Sequence, residues 1–206
     1  MRQVGKPAGK PVQSKSSISA SQSSSLPRHV ALLRGINVGG KNKLAMQELA
    51  AIFAGAGCCE IATYIQSGNV VFRAPKGSAA KLADKVSGEI LRRFGLAVPL
   101  VLRTAEELAQ VLETNPFLAK GTAEETLHVM FLADLPAAEA VAALDAQRSP
   151  GDTFLLRGRE VYFHLPNGVA RTKLTNAYFD TKLKTVSTLR NWRTVKALCE
   201  MATTSY

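Results

Sequence analysis

Ile61-Ala-Thr-Tyr-Ile-Gln-Ser-Gly-Asn-Val-Val-Phe-Arg73 decides the fold. Two short runs, Ile61 to Gln66 and Asn69 to Arg73, are rich in β-branched and aromatic residues, and they flank Ser67-Gly68, which has the chemistry of a hairpin turn. A hairpin joins antiparallel strands. Phosphate-binding P-loop hydrolases instead need parallel strands linked by crossover helices, so this stretch points away from them.

On the N-terminal side, His29 to Arg34 is an apolar run too short for a helix and ended by Gly35, the first strand. A helix is expected from Leu44 to Ala56, with Met46, Leu49, Ile52 and Phe53 on one face, Asn42 as N-cap, and Gly55 and Gly57 as stops. On the C-terminal side, Ser78 to Phe94 reads as a helix carrying Leu82, Val86, Ile90 and Leu91 inward. Val98 to Arg103 then alternates as a strand does. The order is βαββαβ. Thr104 to Thr114 is a further helix with Thr104 and Glu107 in capping-box positions, ended by Asn115-Pro116-Phe117. Leu127 to Ala133 reads as a strand and Ala137 to Gln147 as a helix. Thr153 to Leu156 and Val161 to Leu165 form a hairpin turning at Arg157-Gly158-Arg159. Helices near Leu174 to Leu183 and Thr188 to Met201 close the chain. The expected class is α+β with antiparallel sheets in two ferredoxin-like subdomains, βαββαβ over 29–114 and βαββ plus helices over 115–206.

The 206 residues, 46% of them hydrophobic, suffice for one substantial domain or two subdomains sharing a core. Net charge is +10, but residues 1–28 contribute Arg2, Lys6, Lys10, Lys15 and Arg28 without an acid, which leaves +5 for the rest. That surplus suits solubility as well as it suits an anionic partner. Residues 1–28, rich in Ser, Lys, Gly and Pro, are expected to form a disordered basic extension. Cys58, Cys59 and Cys199 form neither a disulfide framework nor a zinc spacing, which fits a reducing compartment, the cytoplasm. No apolar run approaches the ~20 residues of a membrane span.

The candidate site is Gly35-Ile-Asn-Val-Gly-Gly-Lys-Asn42, which follows the P-loop spacing G-x-x-x-x-G-K up to its last position. Asn42 stands where a hydroxyl would hold Mg²⁺, so hydrolysis is not expected and no cofactor or metal is called for. Arg34, Asn37, Gly39, Gly40, Lys41 and Lys43 still set flexible backbone and positive charge at a strand end and helix start, where anions are favoured. The bland alternative is a glycine turn with solvated lysines. Micromolar binding needs about 8 kcal/mol, and a hydrogen bond to a charged group contributes about 1.5 to 3 kcal/mol, so several donors must converge. Arg190, Asn191 and Arg193, expected on the last helix, are the candidates to complete the site, with Arg171 and Lys173 behind them. Trp192 shares helical spacing with Leu189, Val195 and Cys199 and is assigned to the core. Gln66, Ser67 and Asn69 are further polar candidates at the hairpin, although turn chemistry explains Ser67 and Asn69 without function. His29, His128 and His164 are too scattered to nominate a catalytic set, and no enzyme activity is assigned.

Leu32-Leu-Arg-Gly-Ile-Asn-Val-Gly-Gly-Lys-Asn-Lys43, Tyr64-Ile-Gln-Ser-Gly-Asn-Val-Val-Phe72, Asn115-Pro-Phe117 and Thr188-Leu-Arg-Asn-Trp-Arg-Thr-Val195 together resemble the domain-of-unknown-function family 1697 of bacterial proteins. The resemblance runs from about His29 to Leu198. It implies two ferredoxin-like subdomains and brings no activity, substrate or cofactor. Three functions compete on the sequence: binding of a small anion at the Gly-rich loop, RNA binding through a βαββαβ unit, and a structural or partner-binding role. RNA-recognition domains stack bases on aromatics of their central strands, and here only Phe72 offers itself.

Overall fold

The computed structural model describes residues 25–204, so the extension expected over 1–28 lies outside it except for Ser25 to Arg28. The first half runs β1 (Arg28–Leu33), α1 (Met46–Gly55), β2 (Cys59–Tyr64), β3 (Asn69–Arg73), α2 (Ala79–Phe94) and β4 (Leu100–Thr104). Its strands form one antiparallel sheet in the order β2-β3-β1-β4, the ferredoxin-like arrangement. The hairpin at Ser67-Gly68 is present. Gly68 has φ 74°, and a Cβ on it would lie 2.8 Å from Leu33 Cβ, so glycine is required there twice over.

Next come α3 (Ala105–Glu113), β5 (Leu127–Leu132), α4 (Ala138–Ala142), β6 (Thr153–Arg157), β7 (Glu160–His164), α5 (Asn176–Leu183), β8 (Ser187–Asn191) and α6 (Trp192–Thr203). The second sheet is also antiparallel, in the order β6-β7-β5-β8, so the two halves share one topology.

The helix expected over Thr188 to Met201 starts only at Trp192. Ser187 to Asn191 instead pair with β5 as a fourth strand, Thr188 opposite Phe131 and Arg190 opposite Val129, and thereby complete a second βαββαβ unit. Arg190 therefore belongs to β8, and Asn191 is the cap of α6, its Oδ1 accepting from Thr194 N–H at 2.8 Å. The helix expected over Ala137 to Gln147 is cut to five residues. Asp145 turns the chain there, its side chain accepting from Gln147 N–H and its own N–H donating to Tyr178 Oη. The capping box of Thr104 and Glu107 forms as expected on α3.

Both faces of each sheet are covered. Ala31, Leu33, Val70 and Phe72 pack against α1 and α2, and Met130, Leu132, Val161 and Phe163 pack towards α5. The opposite faces, through Val30, Leu32 and Val71 of one sheet and Val129, Phe131 and Tyr162 of the other, meet in a single core. Between them lie α3, with Leu108 and Val111, and α6, with Trp192, Val195 and Leu198. The halves thus share their central layer.

Arg103 of β4 fastens one half to the other. Its side chain is fully buried and pairs with Glu160 at 2.8 Å, while Nη2 donates to Leu132 O at 2.7 Å and to Arg159 O at 3.0 Å. Arg103→Ala is expected to lower unfolding stability by about 3 to 5 kcal/mol, because it strands Glu160 and the Leu102 and Leu132 carbonyls without their donor. Equilibrium urea denaturation checks this. Gly68→Ala should cost about 1 to 3 kcal/mol by the same measurement, from a steric clash combined with an unfavourable φ.

Candidate functional site

The Gly-rich loop leaves β1 and reaches α1 through residues 34–45. Gly35, Asn37, Gly39, Gly40 and Asn42 all have positive φ, which winds the backbone tightly enough that side chains must brace it. Asn37 does so from the centre: Nδ2 donates to Leu44 O and Gln66 O at 2.8 and 3.0 Å, and Oδ1 accepts from Leu44 N–H at 2.9 Å. Asn42, expected as the cap of α1, instead donates to Gly35 O at 2.8 Å, and the helix starts after Ala45 without a side-chain cap. Ile36 and Leu44 are buried and anchor the loop's two ends. Gly39, Gly40, Lys41 and Lys43 are exposed at its tip. Among the described residues, the amides of Gly39 and Gly40 have no hydrogen-bond partner.

At the root of this loop two of the expected arginines meet, both of them braced. Arg34 pairs with Asp180 of α5 at 2.7 Å and donates to Ser187 O at 2.7 Å. Arg190 reaches across from β8, with Nε to Asn69 Oδ1 at 2.6 Å, Nη1 to Thr188 Oγ1 and Leu189 O at 2.7 and 2.8 Å, and Nη2 to Leu33 O at 2.7 Å. Asn69 Nδ2 in turn donates to Ser67 Oγ at 2.9 Å, which fixes its amide as acceptor toward the arginine. Arg190 has no carboxylate partner among the described residues, and burial pushes its guanidinium down to about 10. It stays charged at neutral pH. Arg193 is not part of this corner. It is exposed on α6, beside a separate hollow lined by Glu124, Glu125 and Lys196.

Asp180, Ser187, Asn69 and Arg103 were missed as partners in the sequence because their roles come from contacts between halves. One signal was present: Leu102-Arg103-Thr104 and Leu189-Arg190-Asn191 each put an arginine between a strand leucine and a helix cap. The cysteines offer no reactive site. Burial lifts the Cys58 thiol to about 12, and it also raises Cys59 and Cys199, so all three are held as thiols. Among the described residues no group of His, Cys, Asp or Glu is placed to hold a metal ion, and no helix is long and apolar enough to cross a membrane.

A family model described as "Protein of unknown function (DUF1697)" matches residues 26–162. No curated protein matches the chain. A solved structure, that of the conserved bacterial protein SP0830 from Streptococcus pneumoniae, is similar with a TM-score of 0.62 at 22% identity, covering 86% of this chain and 99% of that one. That likeness concerns the fold.

Burial holds the imidazoles of His29 and His128 below the usual 6.5. Each is neutral in the folded state, while the unfolded chain takes up protons as pH falls through about 6.5. Stability is therefore full above that pH and declines below it. The urea midpoint should drop between pH 8 and pH 5, and the double variant His29→Gln with His128→Gln should show a shallower drop.

Proposed function

We propose, for a chain that belongs to the DUF1697 family and so inherits a fold with no assigned activity, that it binds a small phosphate- or carboxylate-bearing molecule over the tip of the Gly35–Lys43 loop. The observation that carries this reading is Arg190, a partly buried cation without a counter-ion at the loop's root. Its hydrogen-bond donors are spent on protein acceptors, so it acts through its field rather than by direct contact. Direct contact falls to the Gly39 and Gly40 amides and to Lys41 and Lys43, at a curled backbone of the kind that gathers N–H groups around an anion. Arg34 is largely neutralised by Asp180 and positions the loop. This reading assigns no chemical step. With its cysteines held as thiols, the chain also suits a reducing compartment such as the cytoplasm.

No observation favours the nucleic-acid reading over this one. Both faces of each sheet are covered, so the strands offer no open platform for stacked bases.

Thermal unfolding of the full chain against inorganic phosphate, a sugar phosphate, a mononucleotide and a dicarboxylate tests the proposal. One of these anions should raise stability, by about 2.7 kcal/mol at a hundred times its Kd. The double variant Lys41→Ala with Lys43→Ala should lose at least tenfold in affinity, and Arg193→Ala should bind as the parent does. Stabilisation by none of the anions, or equal loss in Arg193→Ala, would overturn it. Affinity for a short RNA that falls steeply with salt would favour the alternative.

A further inference from the structure

A groove of about 630 Å³ runs along the outer edge of β4, and no residue of the Gly-rich loop lines it. Ala83, Asp84 and Ser87 of α2 wall it on one side, and Asp134 and Val186 of the second half wall it on the other. β4 is an edge strand. Arg34 N–H donates to Pro99 O at 2.9 Å, so the alternation of antiparallel pairing turns the N–H and C=O groups of Leu100 and Leu102 outward, into the groove. In the second half Ala133 N–H donates to Val186 O at 2.8 Å, and the same rule turns Ser187 and Leu189 outward from β8. Leu100 and Ser187 hold equivalent places, opposite Leu33 and Leu132.

The two edges are filled differently. At β8, Arg34 crosses from the first half and inserts its guanidinium between Ser187 O and Asp180 of α5, each 2.7 Å away. The residue in Arg34's place in the second half is Ala133, which has no reach. Leu100 O therefore lacks the guanidinium that its counterpart receives. Asp84 and Asp134, the groove's remaining acids, have no cationic partner among the described residues, whereas Glu107 is held by Arg159. His29, 6% exposed, lines the far end with Nε2 unpartnered. Leu100 O, Asp84 and Asp134, the last already accepting from Thr185 Oγ1 at 3.1 Å, are acceptors, and a guanidinium is all donors.

We propose that the β4 groove binds an extended peptide segment through an arginine, whose guanidinium bridges Leu100 O and Asp84 as Arg34 bridges Ser187 O and Asp180. The peptide backbone pairs with the outward N–H groups of Leu100 and Leu102, adding a strand to the sheet. A segment longer than one residue is required, because the groove follows β4 as far as Thr104, four residues from Leu100. At about 3.3 Å per residue that is roughly 13 Å, beyond one guanidinium. Asp134, on the facing wall, adds the charge that selects a basic segment.

The test is a titration of the ¹⁵N-labelled full chain with acetyl-Thr-Val-Arg-Val-Thr-amide, followed by NMR. The Leu100 and Leu102 amide signals should shift, and the same peptide with citrulline in place of arginine should bind at least tenfold more weakly. Asp84→Asn with Asp134→Asn should weaken binding by a similar factor. Ala133→Arg, which supplies the guanidinium from within, should abolish binding while leaving the remaining spectrum folded. Equal affinity for the citrulline peptide, shifts confined to other residues, no binding at millimolar peptide, or equal affinity for N-acetylarginine amide would each overturn the proposal. Failure here leaves the anion reading of the Gly-rich loop untouched, since no residue is common to the two tests.

Discussion

Two arginines exchanged between the halves hold this structure to one geometry. Arg103, at the end of the first sheet's last strand, donates to Leu132 O, where the second sheet's first strand ends. Arg190, at the end of the second sheet's last strand, donates to Leu33 O, where the first sheet's first strand ends. Each also bonds its preceding residue's carbonyl, Leu102 O or Leu189 O, at 2.8 Å, and each takes its Nε partner from the first residue of a third strand, Glu160 or Asn69. The guanidinium suits the task because its fixed fork can satisfy several carbonyls that a strand end would otherwise leave buried and unmet. Lysine, with one mobile ammonium, could not hold both edges in register.

That exchange explains why the central layer works. The helices α3 and α6 each begin two residues after such an arginine, with Thr104 and Asn191 as the caps in between. Fixing the arginine fixes where the helix starts and which face it turns to the shared core, where Leu108, Val111, Trp192 and Val195 fill the space between the sheets. Apolar burial supplies most of the stabilisation, but it is indifferent to small rotations of one sheet over the other. The arginines, with directional bonds to named carbonyls, remove that freedom. They also differ in electrostatic character: Arg103 is compensated by Glu160, whereas Arg190 faces the neutral Asn69 amide.

The first half was legible because its signals are local. Periodicity gave its strands and helices, the hairpin gave the antiparallel sense, and Thr104 with Glu107 gave the start of α3. The missing strand β8 was illegible for a physical reason. Ser187-Thr-Leu-Arg-Asn191 has weak strand alternation and merges into a helical pattern carried by Trp192, Val195 and Cys199, so only pairing with β5 separates the two. An internal likeness could have revealed it: His29-Val30 and Leu33 recur as His128-Val129 and Leu132, and the Leu-Arg-cap triplets recur at 102–104 and 189–191. The same distance in sequence hid the site's partners. Arg34 meets Asp180 and Ser187 only after both halves have folded, and no spacing rule within one half announces that contact.

A repeated architecture is most informative where its copies diverge. Burial and turn chemistry force the shared features on both halves, so the strand order, the crossed arginines and the outward edge groups carry little functional meaning. The differences have no such cause. A fold needs no uncompensated cation at Arg190 when its counterpart has Glu160, and it needs no open edge at Leu100 when Arg34 closes the one at Ser187. A loop of eleven residues separates Leu33 from the cap Ala45 in the first half, whereas four separate Leu132 from Ala137 in the second. The longer loop carries the glycines and lysines, and the shorter one leaves Ala133 where Arg34 would be. The symmetry is thus broken at two positions, one where a cation lacks a carboxylate and the other where an edge carbonyl and two carboxylates lack a cation.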